Sequence, residues 1–311
     1  MDYRIGIDIG GTNVAMGILN DNMEIIAKST ERFLRADGAL GVVRRIHSQA
    51  TRLIFEAGLT LDNISEIGVA VPGSIDINKG LVHDAFNLGF CDVPLRDMLY
   101  EAFGAHKIIR VINDADAAAN AELRLGALYG RQTAVFLTLG TGVGGSLIIG
   151  GRLFCGGLGN GTEPGHMTLK YNGSKCSCGR RGCAETLCAA SSLTIAAKRQ
   201  RKIARSSPLY SMKNGKLTAK LVVEVAQRGI EPALRLFDEY IETLAAYIAS
   251  LINLLDPEIV CIGGGMSNTG DFLLEKLKPR VYERCFFKKH AEIVIAYFKN
   301  DAGIIGAACE L

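Results

Sequence analysis

What most restricts this chain is a plan written twice: an apolar strand, a turn of glycine and threonine, and a second strand. Tyr3–Ile9 is strand-like, Gly10-Gly11 marks a tight turn, and Val14–Leu19 resumes the strand pattern. Thr133–Leu139, the glycine-rich stretch Gly140–Gly145 and Ser146–Ile149 repeat the same layout. Such an internal echo predicts two α/β domains of similar topology, each bringing a glycine turn to a shared cleft. The 311 residues exceed what one small core usually organises, which agrees with two domains.

Between and after these hairpins the periodicity alternates between strand and helix. Met23–Ser29 reads as a third strand and Leu40–Ala57 as a helix. Ile67–Val71 and Ile108–Ile112 read as strands, and Ala115–Leu128 as an alanine-rich helix. In the second half, Phe237, Ile241, Leu244, Ile248, Leu251 and Leu255 recur at steps of three and four, marking a buried helical stripe that Pro257 stops. Ile259–Ile262 and Ile293–Tyr297 are strand-like, and Ala302–Cys309 is a helix of small residues. Arg199–Lys220 is polar and irregular. The expected division is a small domain over residues 1–114, joined by a C-terminal helix at 301–311, and a larger one over 115–300, with crossings near 114 and 300.

Composition narrows the function classes. The chain is 48% hydrophobic and 22% charged, with a net charge of +3 spread along its length. The densest basic run, Lys198–Arg205, reads as a solvated helix face, so nucleic acid is not an expected partner. No apolar run is long enough for a membrane span. Met1-Asp2-Tyr3-Arg4 leads straight into a strand, so no signal peptide is expected and the cytoplasm is the predicted compartment. Three of the nine cysteines crowd into Cys176–Cys183, which without a secretory signal favours metal over disulfides.

The glycine turns suit phosphate. In Asp8-Ile9-Gly10-Gly11-Thr12-Asn13, glycines let backbone N–H groups approach an anion, and Thr12 adds a hydroxyl. Asp8, at a strand end, suits Mg²⁺ held through water. Gly140-Thr141-Gly142-Val143-Gly144-Gly145 is followed by a strand, so it is not a Rossmann fingerprint, and it lacks the Gly-Lys-Ser/Thr of a Walker A loop. Gly263-Gly264-Gly265, after a buried strand, offers a third close approach, suited to an adenosine.

A second constellation suits metal. Cys176, Cys178 and Cys183 offer three thiolates within eight residues, and His166 adds an imidazole from ten residues upstream. Three sulfurs and one nitrogen satisfy tetrahedral Zn²⁺ with no position left open, the pattern of a structural site. A metal clamping His166 would orient its ring and fix the neighbouring Glu163 and Glu185 with it into a rigid polar wall. Asn113-Asp114 closes an apolar strand and opens a helix, where either residue also suits an N-cap.

Together, Asp8-Ile9-Gly10-Gly11-Thr12, Asn113-Asp114, Leu139–Gly145, Glu163-Pro164-Gly165-His166 and Cys176-Ser177-Cys178-Gly179-Arg180-Arg181-Gly182-Cys183-Ala184-Glu185 resemble the ROK sugar kinases of the actin-like ATPase superfamily, from Gly6 to Ala308. The resemblance implies an α/β fold of two ribonuclease H-like domains flanking an interdomain cleft, and a homodimer or homotetramer. It implies ATP and Mg²⁺ at Asp8, Gly10, Gly11, Thr12, Asn13, Thr141, Gly142, Gly264 and Gly265, and structural Zn²⁺ at His166, Cys176, Cys178 and Cys183. It implies a sugar bound by Gly73, Asn87, Asn113, Asp114, Glu163, His166 and Glu185, with Asp114 as general base. Phe90 is a candidate apolar wall of that pocket. Glucose is the leading acceptor, because Asn87-Leu88-Gly89-Phe90 and Gly161–His166 look like the bacterial glucokinases of the family; N-acetylmannosamine, N-acetylglucosamine, fructose, mannose and allose kinases share the same motifs.

Two other classes compete. A sugar-sensing repressor of the same family needs a helix-turn-helix module, for which no room is expected before Asp8. An actin-like ATPase that moves a partner would have no use for the wall of Glu163, His166 and Glu185.

Overall fold

The computed structural model describes residues 2–203 and 217–310. The chain divides into two compact units. The first comprises Met1–Tyr129, Arg152–Thr162 and Asn300–Leu311, and the second Gly130–Gly151 and Glu163–Lys299.

The first unit is built on a five-stranded sheet of β1 (Tyr3–Ile9), β2 (Asn13–Leu19), β3 (Ile25–Arg32), β4 (Ile64–Val71) and β8 (Ile108–Asn113), in the order β3-β2-β1-β4-β8. β1, β2 and β3 pair antiparallel, whereas β4 runs parallel to both β1 and β8. Alternation decides the faces. Ile5, Ile7 and Ile9 are buried in a core with Val42, Val43, Ile46 and Leu53 of helix α1 (Gly38–Glu56).

The other face is made of glycine. A side chain on Gly6 of β1 would overlap the Ile304 carbonyl, and one on Gly68 of β4 the Ala307 carbonyl. Both carbonyls belong to helix α9 (Ala302–Ala308), so helix and sheet meet backbone to backbone. Gly306 of α9 in turn lies against the Ala117 carbonyl of helix α3 (Asp114–Leu125). Asn120 fastens the pair, its amide donating to the carbonyls of Gly306 (3.0 Å) and Glu310 (3.2 Å).

That packing keeps α3 with the first unit, so the chain divides after Tyr129 rather than at residue 114, and Arg152–Thr162, which opens with the short strand β11 (Arg152–Leu153), also returns to it. A small antiparallel sheet of β5 (Ser74–Asp76), β6 (Leu81–Ala85) and β7 (Phe90–Val93), and helix α2 (Leu95–Phe103), complete this unit. These short elements were not legible in the periodicity.

In the second unit, β9 (Thr133–Leu139) and β10 (Val143–Ile149) form an antiparallel hairpin, and β12 (Ile259–Gly263) lies parallel to both β9 and β13 (Glu292–Ile295). The order β10-β9-β12-β13 repeats β2-β1-β4-β8, the ribonuclease H-like plan expected for both halves. Helices α4 (Glu185–Cys188), α5 (Ala190–Ile203), α6 (Ala219–Gln227), α7 (Ala233–Leu255) and α8 (Asp271–Tyr282) cover the sheet. The predicted stripe is the buried face of α7: Phe237, Ile241, Leu244, Ile248 and Leu251 are all in the core, and Leu255 is half-buried at its edge. Tyr240 anchors the same helix by donating to the Cys188 carbonyl at 2.8 Å.

Element ends shift where side chains satisfy backbone groups. Asn20 accepts from the N–H groups of Asn22 and Glu24, both at 3.0 Å, which delays the third strand from Met23 to Ile25. The Glu122 carboxylate accepts the Ala127 N–H at 2.8 Å and ends α3 at Leu125, three residues before the expected Leu128. The stretch expected to be irregular from Arg199 is helical to Ile203, and helix resumes at Ala219; its middle, from 204 to 216, lies outside the described residues, as does the end of the basic run Lys198–Arg205.

The backbone contacts of α9 generate a test. Gly306→Ala places a methyl group where the Ala117 carbonyl stands, so urea unfolding of the variant should show a loss of about 2 kcal/mol. An unchanged midpoint would contradict this packing.

Candidate functional site

In the first unit the candidate residues gather at the carboxyl ends of parallel strands. Asp8 is the penultimate residue of β1, and Asn113 ends β8, with Asp114 opening α3. Asn113 is the N-cap: its side-chain oxygen accepts from Ala115 N (2.8 Å) and Asp116 N (3.2 Å). Its amide donates to the Gly73 carbonyl at 3.0 Å, which ties β8 to the Pro72-Gly73 turn. Gly73 has φ +107, and a side chain there would overlap the Asp84 carbonyl, so the turn requires glycine.

With the capping role taken by Asn113, the Asp114 side chain is spared for other work. Asp114 is exposed, and one of its oxygens accepts its neighbour's N–H, Ala115 N, at 2.9 Å. Desolvation by the surrounding protein nevertheless raises its pKa above the ordinary carboxylate value. The two facts describe different things: surface exposure decides whether a substrate can reach the oxygen, and the density of nearby protein decides how costly its charge is. Asp116, two residues on, is buried.

Asp8 is raised to about 6, first by burial and then by the nearby charge of Asp114. Two carboxylates that repel one another at strand ends are what a divalent cation would relieve. Asp8 is also pressed by α9, since a Cβ on Gly303 would stand 2.5 Å from its Oδ2. Gly303 is therefore a site residue that the sequence reading missed, because a helix of small residues announces only close packing.

The Gly10–Asn13 turn is closed by Gly10 N–H donating to the Asn13 carbonyl at 2.9 Å, and Gly11, Thr12 and Asn13 are exposed. Asn87 is exposed with its Cβ side toward Gly11, at 3.9 Å from a Cβ built there. Phe90, by contrast, is buried in the core of the first unit, which corrects its assignment as a wall of the sugar pocket: β7 turns it inward with Leu88 and Val82.

In the second unit, two glycine turns converge. Gly140 N–H donates to the Gly142 carbonyl at 3.0 Å, and the turn is held from behind by Ala190 N–H on the Gly140 carbonyl (2.9 Å) and the Ser191 hydroxyl on the Thr141 carbonyl (2.7 Å). Gly264, at φ +77, packs on the end of β9, where a side chain would come within 2.7 Å of Leu139 N. Thr141 and Gly265 are exposed, and Gly142 and Gly264 half-buried.

The thiol cluster forms as the spacing predicted. Ligand atoms of His166, Cys176, Cys178 and Cys183 all lie within 4.8 Å of one another. His166 Nδ1 is 3.7 Å from Cys176 Sγ, and Cys178 Sγ is 3.7 Å from Cys183 Sγ. The sulfurs are free thiols, and two ligands placed tetrahedrally at Zn–S length stand about 3.7 Å apart, so these residues fit a tetrahedral cation. Burial and the neighbouring thiols push Cys183 up to about 12, a cost that a central cation inverts. Gly179 (φ +87) and Gly182 (φ +72) supply the left-handed turns of the knuckle.

Glu185 contacts this cluster, and Glu163 precedes the turn that carries His166. Glu163 is exposed and His166 half-buried at the end of the short 3-10 turn Pro164–His166; the buried Pro164 and Gly165 pack that turn on Gly145 and the Val143 carbonyl. Glu185 opens α4, with both oxygens engaged: Val143 N–H donates to Oε2 at 3.2 Å, and the Ser177 hydroxyl to Oε1 at 3.0 Å. Ser177 and Val143 are partners that motif reading did not single out.

The ROK family pattern matches residues 4–310. The chain belongs to the ROK family. It is 36% identical to the glucokinase of Thermotoga maritima over 98% of this chain and 95% of that one, and 34% identical to the glucokinase of Halalkalibacterium halodurans over 98% and 93%. Among solved structures, a ROK family glucokinase from Streptomyces griseus, in complex with glucose and AMPPNP, superposes with a TM-score of 0.85 at 30% identity, covering 98% of each chain. Among the described residues of this ROK protein, no helix is long and apolar enough to cross a membrane.

The carboxylate pair generates a pH test. Asp8 binds its proton more tightly when folded (about 6 against 3.8), so its ionisation costs nothing below the unfolded value and its full cost above about 6. Asp8→Asn, neutral throughout, should gain stability over the ligand-free parent as pH rises from about 4 to about 7, by up to about 3 kcal/mol. Urea titrations at both pH values check this; a pH-independent offset would remove the assignment.

Proposed function

We propose that this ROK protein is an ATP-dependent hexose kinase whose acceptor is glucose, forming glucose 6-phosphate. The observation that carries the reading is Asp114: an exposed, charge-disfavoured carboxyl at the end of β8, electrostatically coupled to Asp8 at the end of β1. The curated relatives and the solved structure reported above, all glucokinases, support the choice of glucose.

The chemistry follows from the residues. Asp114 accepts the proton of the sugar's 6-hydroxyl as its oxygen bonds to the γ-phosphorus, the bond to the β-phosphate oxygen breaks and ADP leaves. Desolvation makes Asp114 a stronger base than an ordinary carboxylate, closer to the pH at which it works. Asn113, by capping α3 and holding the Gly73 carbonyl, fixes the backbone from which Asp114 projects and is itself a proposed sugar contact with Gly73 and Asn87. Asp8 would hold Mg²⁺, which would supply charge neutralisation for the phosphates. In the first unit Gly11, Thr12 and Asn13 offer N–H and hydroxyl donors suited to phosphate, with Gly10 closing their turn; in the second, Thr141 and Gly142 offer donors of the same kind, and Gly264 and Gly265 suit the close approach of an adenosine.

Zn²⁺ is the proposed occupant of the His166, Cys176, Cys178 and Cys183 cluster, with a structural role. With Nδ1 turned to the sulfurs, His166 keeps Nε2 for a sugar hydroxyl, alongside Glu163 and Glu185. A knuckle of reduced thiols and the need for ATP both suit the cytoplasm. Assembly as a homodimer or homotetramer belongs to the same proposal, and light scattering of the purified protein reads it.

ADP release measured over a panel of hexoses and their N-acetylamino forms tests the acceptor. Glucose should give the highest kcat/KM; preference for another sugar replaces glucose, and sugar-independent turnover favours a partner-moving ATPase. Asp114→Asn should lower kcat by roughly 10²- to 10⁴-fold with little change in glucose affinity, and near-normal turnover would remove Asp114 from its role. Cys178→Ser should carry well under one zinc per chain by elemental analysis and bind glucose more weakly; retained zinc with normal affinity would contradict the bracing of His166.

A further inference from the structure

The carboxylate of Glu185 joins two parts of the second unit that the proposed function uses separately. Oε2 takes the N–H of Val143, the residue directly after the Gly140–Gly142 turn and the first of β10. Oε1 takes the Ser177 hydroxyl and, at 3.4 Å, the Cys176 thiol, both inside the metal knuckle. Gly142 has no side chain where one would overlap Oε2, so the turn is shaped around this carboxylate. The backbone of Glu185 is itself set by the knuckle, because it follows Cys183 by two residues and the intervening Ala184 N–H donates to the Met167 carbonyl at 2.8 Å.

We propose that Glu185 is a positioning residue through which occupancy of the metal knuckle sets the shape of the Gly140–Gly145 turn, and hence the affinity for a nucleotide's phosphates, with no sugar present. The inference rests on the phosphate-binding reading of that turn. Its physical content is a short polar chain: Cys176 and Cys183 hold the cation, Ser177 stands beside Cys176, Ser177 holds Glu185, and Glu185 holds Val143 N–H. When the cation leaves, segment 174–183 loses the bonds that fix Ser177, and Cys176 changes from a metal-bound thiolate into a thiol that competes with Ser177 as donor to Oε1, so the carboxylate is no longer held where it accepts the Val143 N–H. A donor left without its partner at that position relaxes the turn away from the conformation that presents its N–H groups to phosphate.

Titration of the sugar-free protein with AMPPNP and Mg²⁺ tests this, before and after the knuckle metal is stripped with a thiol-site chelator and the chelator is removed. Stripping should raise the wild-type Kd about tenfold. Metal-loaded Glu185→Ala should show a similar rise, and stripping it should add less than about twofold, because the link is already cut. Metal-loaded Glu185→Gln, whose amide oxygen still accepts the Val143 N–H, should stay within about twofold of wild type, a rescue that a merely structural or sugar-binding role does not produce. Ser177→Ala, which cuts the chain at its other end, should weaken AMPPNP severalfold at full metal content and should serve where Glu185→Ala does not fold. Wild-type affinity in metal-loaded Glu185→Ala or Ser177→Ala, or equal losses on stripping wild type and Glu185→Ala, overturns the inference alone. Absence of AMPPNP binding by the loaded wild type overturns the phosphate reading of the turn and this inference with it.

Discussion

Backbone contact between α9 and the first sheet is the constraint on which the rest of the first unit depends. Helices and sheets usually meet through side chains, about 10 Å apart; here Gly6, Gly68 and Gly306 remove the side chains, and carbonyls touch backbone. This close approach brings the start of α9 against Asp8 and holds α3, with Asp114 at its first turn, against the same helix. The two carboxylates therefore stand near enough to repel, and the cost of that repulsion is borne by packing elsewhere in the unit.

The second unit solves a different problem on the same strand order. Its glycine turns are stiffened from outside, by Ala190, Ser191 and Glu185 on the Gly140–Val143 turn and by the end of β9 on Gly264. Rigid donors cost little reorganisation when an anion arrives, which is the physical advantage of a turn braced by hydrogen bonds over one left free. The thiol cluster extends this bracing to His166, whose ring is oriented by sulfur on one edge.

Much of this was legible in the sequence because the informative signals are local. Strand–glycine–strand repeats, a helical stripe on α7 and three cysteines within eight residues each depend on neighbours along the chain, and β1, β9 and the cluster form as their spacing predicts. What escaped depends on partners far apart. Nothing near Gly303 shows that it makes room for Asp8, and nothing near Ser177 shows that its hydroxyl reaches Glu185. Phe90 looked like a pocket wall because its loop carries Asn87, but alternation along β7 sends it into the core. The boundary at residue 114 was misjudged for the same reason: the contact that retains α3 comes from a helix nearly two hundred residues away.

The first unit is assembled from three separate stretches of chain, and the helix that covers its glycine face is made from residues 302–308. During synthesis, β1 and β4 emerge early but their glycine face stays bare until the ribosome has passed Ala308, after the whole second unit has been translated. Folding of this protein is therefore obliged to be late for its earliest part. The nascent first half has α1 on one face of its sheet but lacks the helix of its glycine face through most of translation, so loss of residues 302–308 removes far more packing than their small mass suggests.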